Sequence, residues 1–412
     1  MKIVIIGGGA SGMAAAIKAK QTKNNAQVIV LEKMDRVGKK LLATGNGRCN
    51  YSNLNTSPRD YYGQQPHFVN YALKEFTVDY TVNFFNNMGV FPREESQGRL
   101  YPFSGQASAV LDALRCEMER LGVQVLTNAL VKGVDIKKGG FKINLSDRVI
   151  NCNKLIIACG GCASPKLGSD GSGFTLLKAL GHNITALFPA LVQMKTKPEQ
   201  IKGLSGIRVP CNATLIYKDR VIANEYGEVQ FTDYGLSGIA VFQLSLAYKK
   251  GVTVSLDFME EYPLKNVFDI LWARRTCLGH LTMESYFNGL LNKRIGNIIA
   301  RSCGIEKLSY KIADLDKDTV WRIAGCIKDM PFDIIGLKGF ENAQATAGGV
   351  DTREFNSETM ESRIINGLYC CGEIFDVVGS CGGYNLQWAW SSGMLAGKNA
   401  ADLKENIYDK NK

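Results

Sequence analysis

The chain has 412 residues, 45% hydrophobic and 21% charged, with 49 Lys and Arg against 39 Asp and Glu for a net charge of +10. That length calls for two or three domains. No window approaches the roughly eighteen continuous apolar residues of a transmembrane span, three histidines give a zinc site little to work with, and no segment is of low complexity. Twelve scattered cysteines support no disulfide framework in a chain this size and point to a reducing compartment, the cytoplasm. The charge is uneven: residues 1–190 carry +10, residues 191–340 carry +4 and residues 341–412 carry −4.

In chain order, an apolar strand over 2–6 runs into a glycine turn, an alanine-rich helix over 12–22 and a second strand over 27–31. A helix follows over 107–121, then short strands over 123–126, 130–136 and 141–145. A buried parallel strand over 154–158 ends at Gly160 and Gly161. Past residue 190 the texture turns β-like, with strands at 213–217 and 252–258. From 263 it is helical, over 267–277, 283–292, 294–303 and 319–328. Glycine motifs return after 341. The expected fold is α/β: a discontinuous Rossmann-type nucleotide-binding domain (1–190 and 341–412) holding an inserted β-rich lobe (191–262) and a helical lobe (263–340).

Three motifs carry the chemistry. Gly7-Gly-Gly9-Ala10-Ser11-Gly12 is a G-x-G-x-x-G inside a βαβ unit. Gly7 permits the turn, Gly9 lets the backbone approach a pyrophosphate, Gly12 allows close helix–strand packing, and the helix N-terminus receives the phosphates. Glu32 lies twenty residues beyond Gly12, beside Lys33, where a carboxylate accepts bonds from ribose hydroxyls. It fits FAD or NAD and disfavours NADP at this site. Next, Gly38 to Asn50 combines glycine, Asn46 and Gly47 with Lys39, Lys40 and Arg48, suiting a loop around a pyrophosphate and a flavin edge; a solvated basic loop is the plainer reading. Finally, Gly372, Glu373 and Asp376 precede Gly382-Gly383-Tyr384-Asn385-Leu386. The acids suit ribityl hydroxyls, and a helix starting near Leu386 would face the flavin pyrimidine edge, favouring its negative charge on reduction. Two cofactor motifs some 370 residues apart suit a long flavin dinucleotide better than a detachable nicotinamide. Cys159-Gly-Gly-Cys162 and Cys370-Cys371 read as small packing residues in tight backbone.

With Gly98-Arg99-Leu-Tyr101-Pro102, Phe231 to Gly238 and Thr346 to Val350, these segments resemble, over nearly the whole chain, a family of bacterial FAD flavoproteins. Its members are known variously as aminoacetone oxidase, 3-dehydro-bile-acid Δ4,6-reductase and ribosomal RNA dihydrouridine synthase. Thr44-Gly-Asn-Gly-Arg-Cys-Asn50 and Gly382-Gly-Tyr-Asn-Leu386 are its specific motifs. The resemblance implies a discontinuous Rossmann-type FAD-binding domain with an inserted β-barrel-like lobe and a helical lobe, and FAD held by the residues above together with Asn50, Val131, Ala158, Gly160 and Gly161. Where similar proteins have Ala-Thr-Gly-Gly, this chain has Ala158-Cys159-Gly160-Gly161. The backbone role survives; a hydroxyl role does not.

The expected activity is hydride delivery from reduced flavin to a C=C bond conjugated to a carbonyl, in a steroid dienone or in uridine of ribosomal RNA. No second G-x-G-x-x-G follows a strand, so NAD(P)H would dock only transiently as reductant. Cys49, Tyr384 and Arg48 are the candidates for donating a proton or polarising the carbonyl, though positioning the cofactor is an equally good role for them. The rivals are an oxygen-using amine or aminoketone oxidase, and a flavoprotein whose basic face docks structured RNA. Neither membrane nor metal is expected as partner, and oligomeric state is not readable.

Overall fold

The computed structural model describes residues 1–402. The chain forms two compact units, Met1–Ala190 with Phe340 onward, and Leu191–Gly339, each with its own apolar core.

The first unit is built on a five-stranded parallel sheet in the order Leu368–Cys370, Lys154–Ile157, Lys2–Ile6, Gln27–Leu31, Gln124–Leu126. Lys2–Ile6 is central and reads Lys-Ile-Val-Ile-Ile; Ile3, Val4 and Ile5 are wholly buried, as a parallel strand covered on both faces requires. The helix Ala10–Thr22 follows the first strand and is crossed by the helix Tyr384–Ala401. The crossing depends on glycine: a Cβ on Gly393 would stand 2.4 Å from the Ser11 carbonyl oxygen, and one on Gly397 would stand 2.2 Å from that of Ala15. The C-terminal helix is anchored further by Trp390 Nε1, which donates to the Tyr51 carbonyl at 2.8 Å, and by Trp388 Nε1, which donates to that of Gly372 at 3.1 Å. An antiparallel meander, Gly133–Lys137, Gly140–Asn144 and Val149–Cys152, leads into the strand Lys154–Ile157.

The second unit is a closed six-stranded barrel in the order Met194–Thr196, Gly235–Ser237, Arg220–Phe231, Arg208–Tyr217, Thr253–Asp257, Met330–Leu337. Met194–Thr196 and Met330–Leu337 pair to close it, with a register shift at Lys195/Thr196. Closure removes the exposed sheet edges. Helices Leu264–Cys277, Lys293–Ser302 and Lys317–Lys328 bury Val267, Leu271, Ile299, Val320 and Ile323 in the same core as the barrel residues Leu215, Phe231 and Val254. Segments 191–262 and 263–340, expected as separate lobes, therefore form one unit. The last barrel strand is supplied from within the helical segment. The helix expected over 283–292 stops at Tyr286; a turn with Gly289 at φ 75° follows, and Asn292 caps the next helix by accepting from Arg294 N at 3.0 Å. None of the twelve cysteines is paired in a disulfide. Among the described residues, no helix is long and apolar enough to cross a membrane, and no group of three or more metal-ligating side chains is gathered.

Candidate functional site: a dinucleotide cleft

The strand Lys2–Ile6 must turn sharply into its helix. Gly7 makes the turn at φ 109°, where a Cβ would lie 2.3 Å from the Ala158 carbonyl oxygen, and a Cβ on Gly12 would lie 1.9 Å from that of Gly7. Gly9 is different. It is the N-cap at φ −81°, ψ −171°, and a Cβ there would meet nothing within 4 Å. It borders a cleft in the first unit with about 1280 Å3 of empty space, mouth included.

The cleft collects residues from far apart in the chain. From the first motif it takes Gly7, Gly9, Ala10 and Ser11, with Glu32 and Lys33 from the end of the second strand. Lys39 and Lys40 come from the basic loop, and Val131, Ala158 and Gly160 from the middle of the unit. Glu373, Asn385 and Leu386 arrive from the C-terminal motif. Glu32 is 9% exposed; one carboxylate oxygen accepts from Gly8 N at 2.8 Å and the other from Met34 N at 2.9 Å. Each oxygen keeps a lone pair for a hydroxyl. Lys40 pairs with Glu373 at 2.7 Å, and Glu373 also accepts from Thr346 N at 2.9 Å.

Two helices present their N-termini here. The helix Ala10–Thr22 begins at Gly9 and Tyr384–Ala401 begins at Gly383 (φ 104°); neither has a side-chain cap or an acidic residue in its first turn. Their first-turn N–H groups and partial positive charge are left for an anionic or electron-rich ligand. Ser169 Oγ, on the cleft lining, is buried without a hydrogen-bond partner. Uncapped helix ends, an orphaned hydroxyl and a glycine facing open space fit a long dinucleotide with a phosphate centre.

Other expected residues stand behind this lining. Gly161 packs on Thr346, where a Cβ would approach Oγ1 to 2.3 Å; Gly372, at φ 79°, packs on Ser11. Asp376 is buried, which raises its carboxyl pKa, and accepts from Gln64 N at 3.2 Å; it lies outside the cleft lining and secures a neighbouring loop. Asn385 Oδ1 accepts from Gly379 N at 2.8 Å and its Nδ2 donates to Gly379 O at 2.9 Å, which fixes the backbone ahead of the helix.

The segment Thr44–Asn50 is wound through left-handed conformations at Gly45, Asn46, Gly47 and Cys49 (φ 56°, 55°, 82° and 60°). Arg48 pairs with Glu95 at 2.8 Å and lies 4.2 Å over the Tyr101 ring. Asn50 Oδ1 is buried and unpartnered beside Gly383. Of the reactive candidates, Cys49 is wholly buried and its thiol is pushed up to about 12 by that burial. Tyr384 is partly buried, packs edge-on against Tyr61 at 6.4 Å, and has its phenol pKa raised by burial.

Ser169, Arg36 and Trp388 also line the cleft and escaped the sequence reading. Gly168-Ser169-Asp170-Gly171, just before the helix Ser172–Ala179, was the available signal: a third glycine turn opening a helix.

A family model for the HI0933-like protein Rossmann domain matches residues 1–399. The chain belongs to this family. It is a family of FAD-dependent oxidoreductases. The chain is 39% identical over 97% of its length to the 3-dehydro-bile acid Δ(4,6)-reductase of Clostridium scindens, covering 99% of that protein. It is 32% identical over 98% of its length to the ribosomal RNA dihydrouridine synthase of Escherichia coli, covering 98% of that protein. The fold is shared with 3-ketosteroid Δ1-dehydrogenase from Sterolibacterium denitrificans at a TM-score of 0.50 and 13% identity, over 97% of this chain and 99% of that one. It is shared also with a quinol-fumarate reductase, at a TM-score of 0.50 and 16% identity, over 97% and 70% of the two chains. The Rossmann-like FAD-binding fold expected from the sequence is therefore the fold of this protein.

Proposed function

We propose that this protein is an FAD-dependent ene reductase of the cytoplasm that reduces a C=C bond conjugated to a carbonyl in a small steroid-like dienone. The observation that carries the cofactor side of the reading is the pair of uncapped helix N-termini, from opposite ends of the chain, bordering one cleft. The substrate class is supported by the full-length 39% identity to a protein named a bile-acid reductase.

When bound, FAD supplies the hydride. Gly9 and the helix Ala10–Thr22 would hold the pyrophosphate, while Glu32 would accept from ribose hydroxyls. Lys39 and Lys40 would offset phosphate charge; Val131, Ala158 and Gly160 would shape the wall. The first turn of Tyr384–Ala401 would serve the flavin ring, with Asn50 and Asn385 supporting that turn. Tyr384 is protonated at neutral pH, as a phenol with an ordinary pKa of about 10 is, and burial moves it further from ionisation, so its hydroxyl can donate to the substrate. Arg48, bound to Glu95 and stacked on Tyr101, holds the loop and contributes positive charge. Cys49, sealed in the core, supports that loop rather than exchanging protons. NAD(P)H is the reductant, docking transiently.

The second reading is reduction of uridine in ribosomal RNA, favoured by the 32% identical relative of that name and the surplus of basic residues in 1–190. Anaerobic stopped-flow decides: protein loaded with FAD and reduced by NAD(P)H is mixed with a bile-acid dienone or with unmodified ribosomal RNA. Reoxidation by the dienone supports the first reading and reoxidation by RNA the second. Reoxidation by oxygen alone overturns both in favour of an oxidase.

A further inference from the structure

Outside the cleft, the second unit brings together two cysteines that no nucleotide chemistry uses. Cys303 ends the helix Lys293–Ser302, with its backbone N–H donating to Ile299 O at 3.1 Å. Cys326 sits near the end of the helix Lys317–Lys328. Their sulfurs are 3.6 Å apart. Cys303 is buried and Cys326 partly exposed. Both line an open cleft with about 770 Å3 of empty space, mouth included, shared with Ser302, Arg322, Lys328 and Asp329.

The surroundings make the two thiols unequal. Lys328 is committed to Asp257 at 2.6 Å and to Met259 O at 2.8 Å, and Asp329 accepts from Ser255 Oγ. Arg322, one helical turn before Cys326, adds positive charge to both sulfurs. The hydrogen bond between the thiols pulls the Cys326 pKa down and drives that of Cys303 up, with burial adding to the latter. The thiolate is the reactive form, and the more accessible sulfur is the one that carries it.

We propose that Cys303 and Cys326 form a redox-active dithiol, oxidised by a hydroperoxide to a disulfide that staples the ends of two helices of this unit. Cys326 thiolate attacks the peroxide; the S–O bond forms, the O–O bond breaks, and the leaving oxygen takes up a proton to become water or an alcohol. Cys303 sulfur then attacks the Cys326 sulfenic acid; the S–S bond forms, the S–O bond breaks, and water departs with the Cys303 proton. Two sulfurs lose one electron each and one peroxide is reduced. The sulfurs must close by roughly 1.5 Å to reach bonding distance. Cys303 stands at a helix end, where backbone shifts are cheapest.

The test uses the full-length protein with its flavin bound, reduced, desalted and treated with graded hydrogen peroxide, then alkylated with N-ethylmaleimide and mapped by peptide mass. The linked peptides 302–307 and 323–328 should appear at peroxide levels that leave the exposed cysteines Cys116 and Cys277 still alkylated, and dithiothreitol should reverse the link. Oxidation of Cys116 or Cys277 first, or conversion of Cys326 to sulfinic acid without a linked peptide, overturns the proposal. In Cys303→Ser, which keeps a hydroxyl donor beside Cys326 and removes the resolving sulfur, a dimedone adduct should accumulate on Cys326 several-fold above wild type; its absence in folded protein also overturns it. The wild-type experiment stands whether or not that variant folds.

Discussion

Side-chain caps close some helix starts in this protein, and the two that open on the cleft have none. Ala107–Arg120 and Leu264–Cys277 are uncapped as well, so the site is marked by a bare helix start together with its place on the cleft. Lys317–Lys328 is capped by Asp316, which accepts from Thr319 N at 2.6 Å, and Lys293–Ser302 by Asn292. In the first unit, Val78–Asn86 is capped by Thr77, which accepts from Tyr80 N at 3.1 Å. Ala10–Thr22 and Tyr384–Ala401, by contrast, start at bare glycines. A cap is worth about 1 kcal/mol over alanine but only about a few tenths over glycine, so glycine starts cost the two cleft helices little stability and leave their first N–H groups open to a ligand. The capped ends close the helix on itself; the two cleft ends keep first-turn N–H groups that a ligand can take up.

The sharpest way to break this contrast is to cap a cleft helix. Gly9→Asp is sterically permitted, because the backbone is in the extended N-cap conformation and a Cβ meets no atom. The new carboxylate would occupy the phosphate position with the wrong charge. The expected outcome is loss of FAD on purification, while the apo protein is stabilised by only about a few tenths of a kcal/mol, because glycine is itself a tolerable N-cap. A yellow Gly9→Asp protein would refute the assignment of that helix end.

Tyr384→Phe, at the other uncapped helix, keeps the ring and removes the donor. Substrate reduction should fall by roughly 100-fold or more, the lower end for general acid catalysis, with flavin reduction by NAD(P)H unchanged. Equal slowing of both half-reactions, measured by stopped-flow, would assign Tyr384 to cofactor positioning instead. Glu32→Ala should weaken FAD binding by about 1–3 kcal/mol, the scale of hydrogen bonds to a charged group; titration of apo protein by flavin fluorescence measures it. Smallest is Asp316→Ala, expected to cost about 1 kcal/mol in thermal or denaturant unfolding and to leave FAD affinity untouched. A change in FAD affinity there would mean that capped and uncapped helices do not divide structural from binding roles.

The nucleotide fold was legible because its constraints are local. Gly7, Gly9 and Gly12 lie within six residues, and a strand before and a helix after suffice to interpret them. Glu32 follows from the length of one helix and one strand. The barrel was harder. Met330–Leu337 closes it, but that strand follows directly on the helix Lys317–Lys328, and pairing with Met194–Thr196 spans more than a hundred residues. Nothing in its own sequence announces the partner. Asp376 looked like a ribityl contact from its motif; the fold turns it toward Gln64. Cys49 looked reactive from its neighbours, and its left-handed backbone packs it inside the core.

The sequence by itself determined the Rossmann βαβ unit, the discontinuous nucleotide domain and the type of cofactor, because glycine spacing and strand–helix periodicity act over a few residues. Only the tertiary structure decided which polar groups reach the cleft, how the barrel closes and that Cys303 meets Cys326 across 23 positions. Those outcomes depend on long-range strand pairing and helix packing, in which each segment's partner is fixed by burying apolar surface shared with residues far away in the chain.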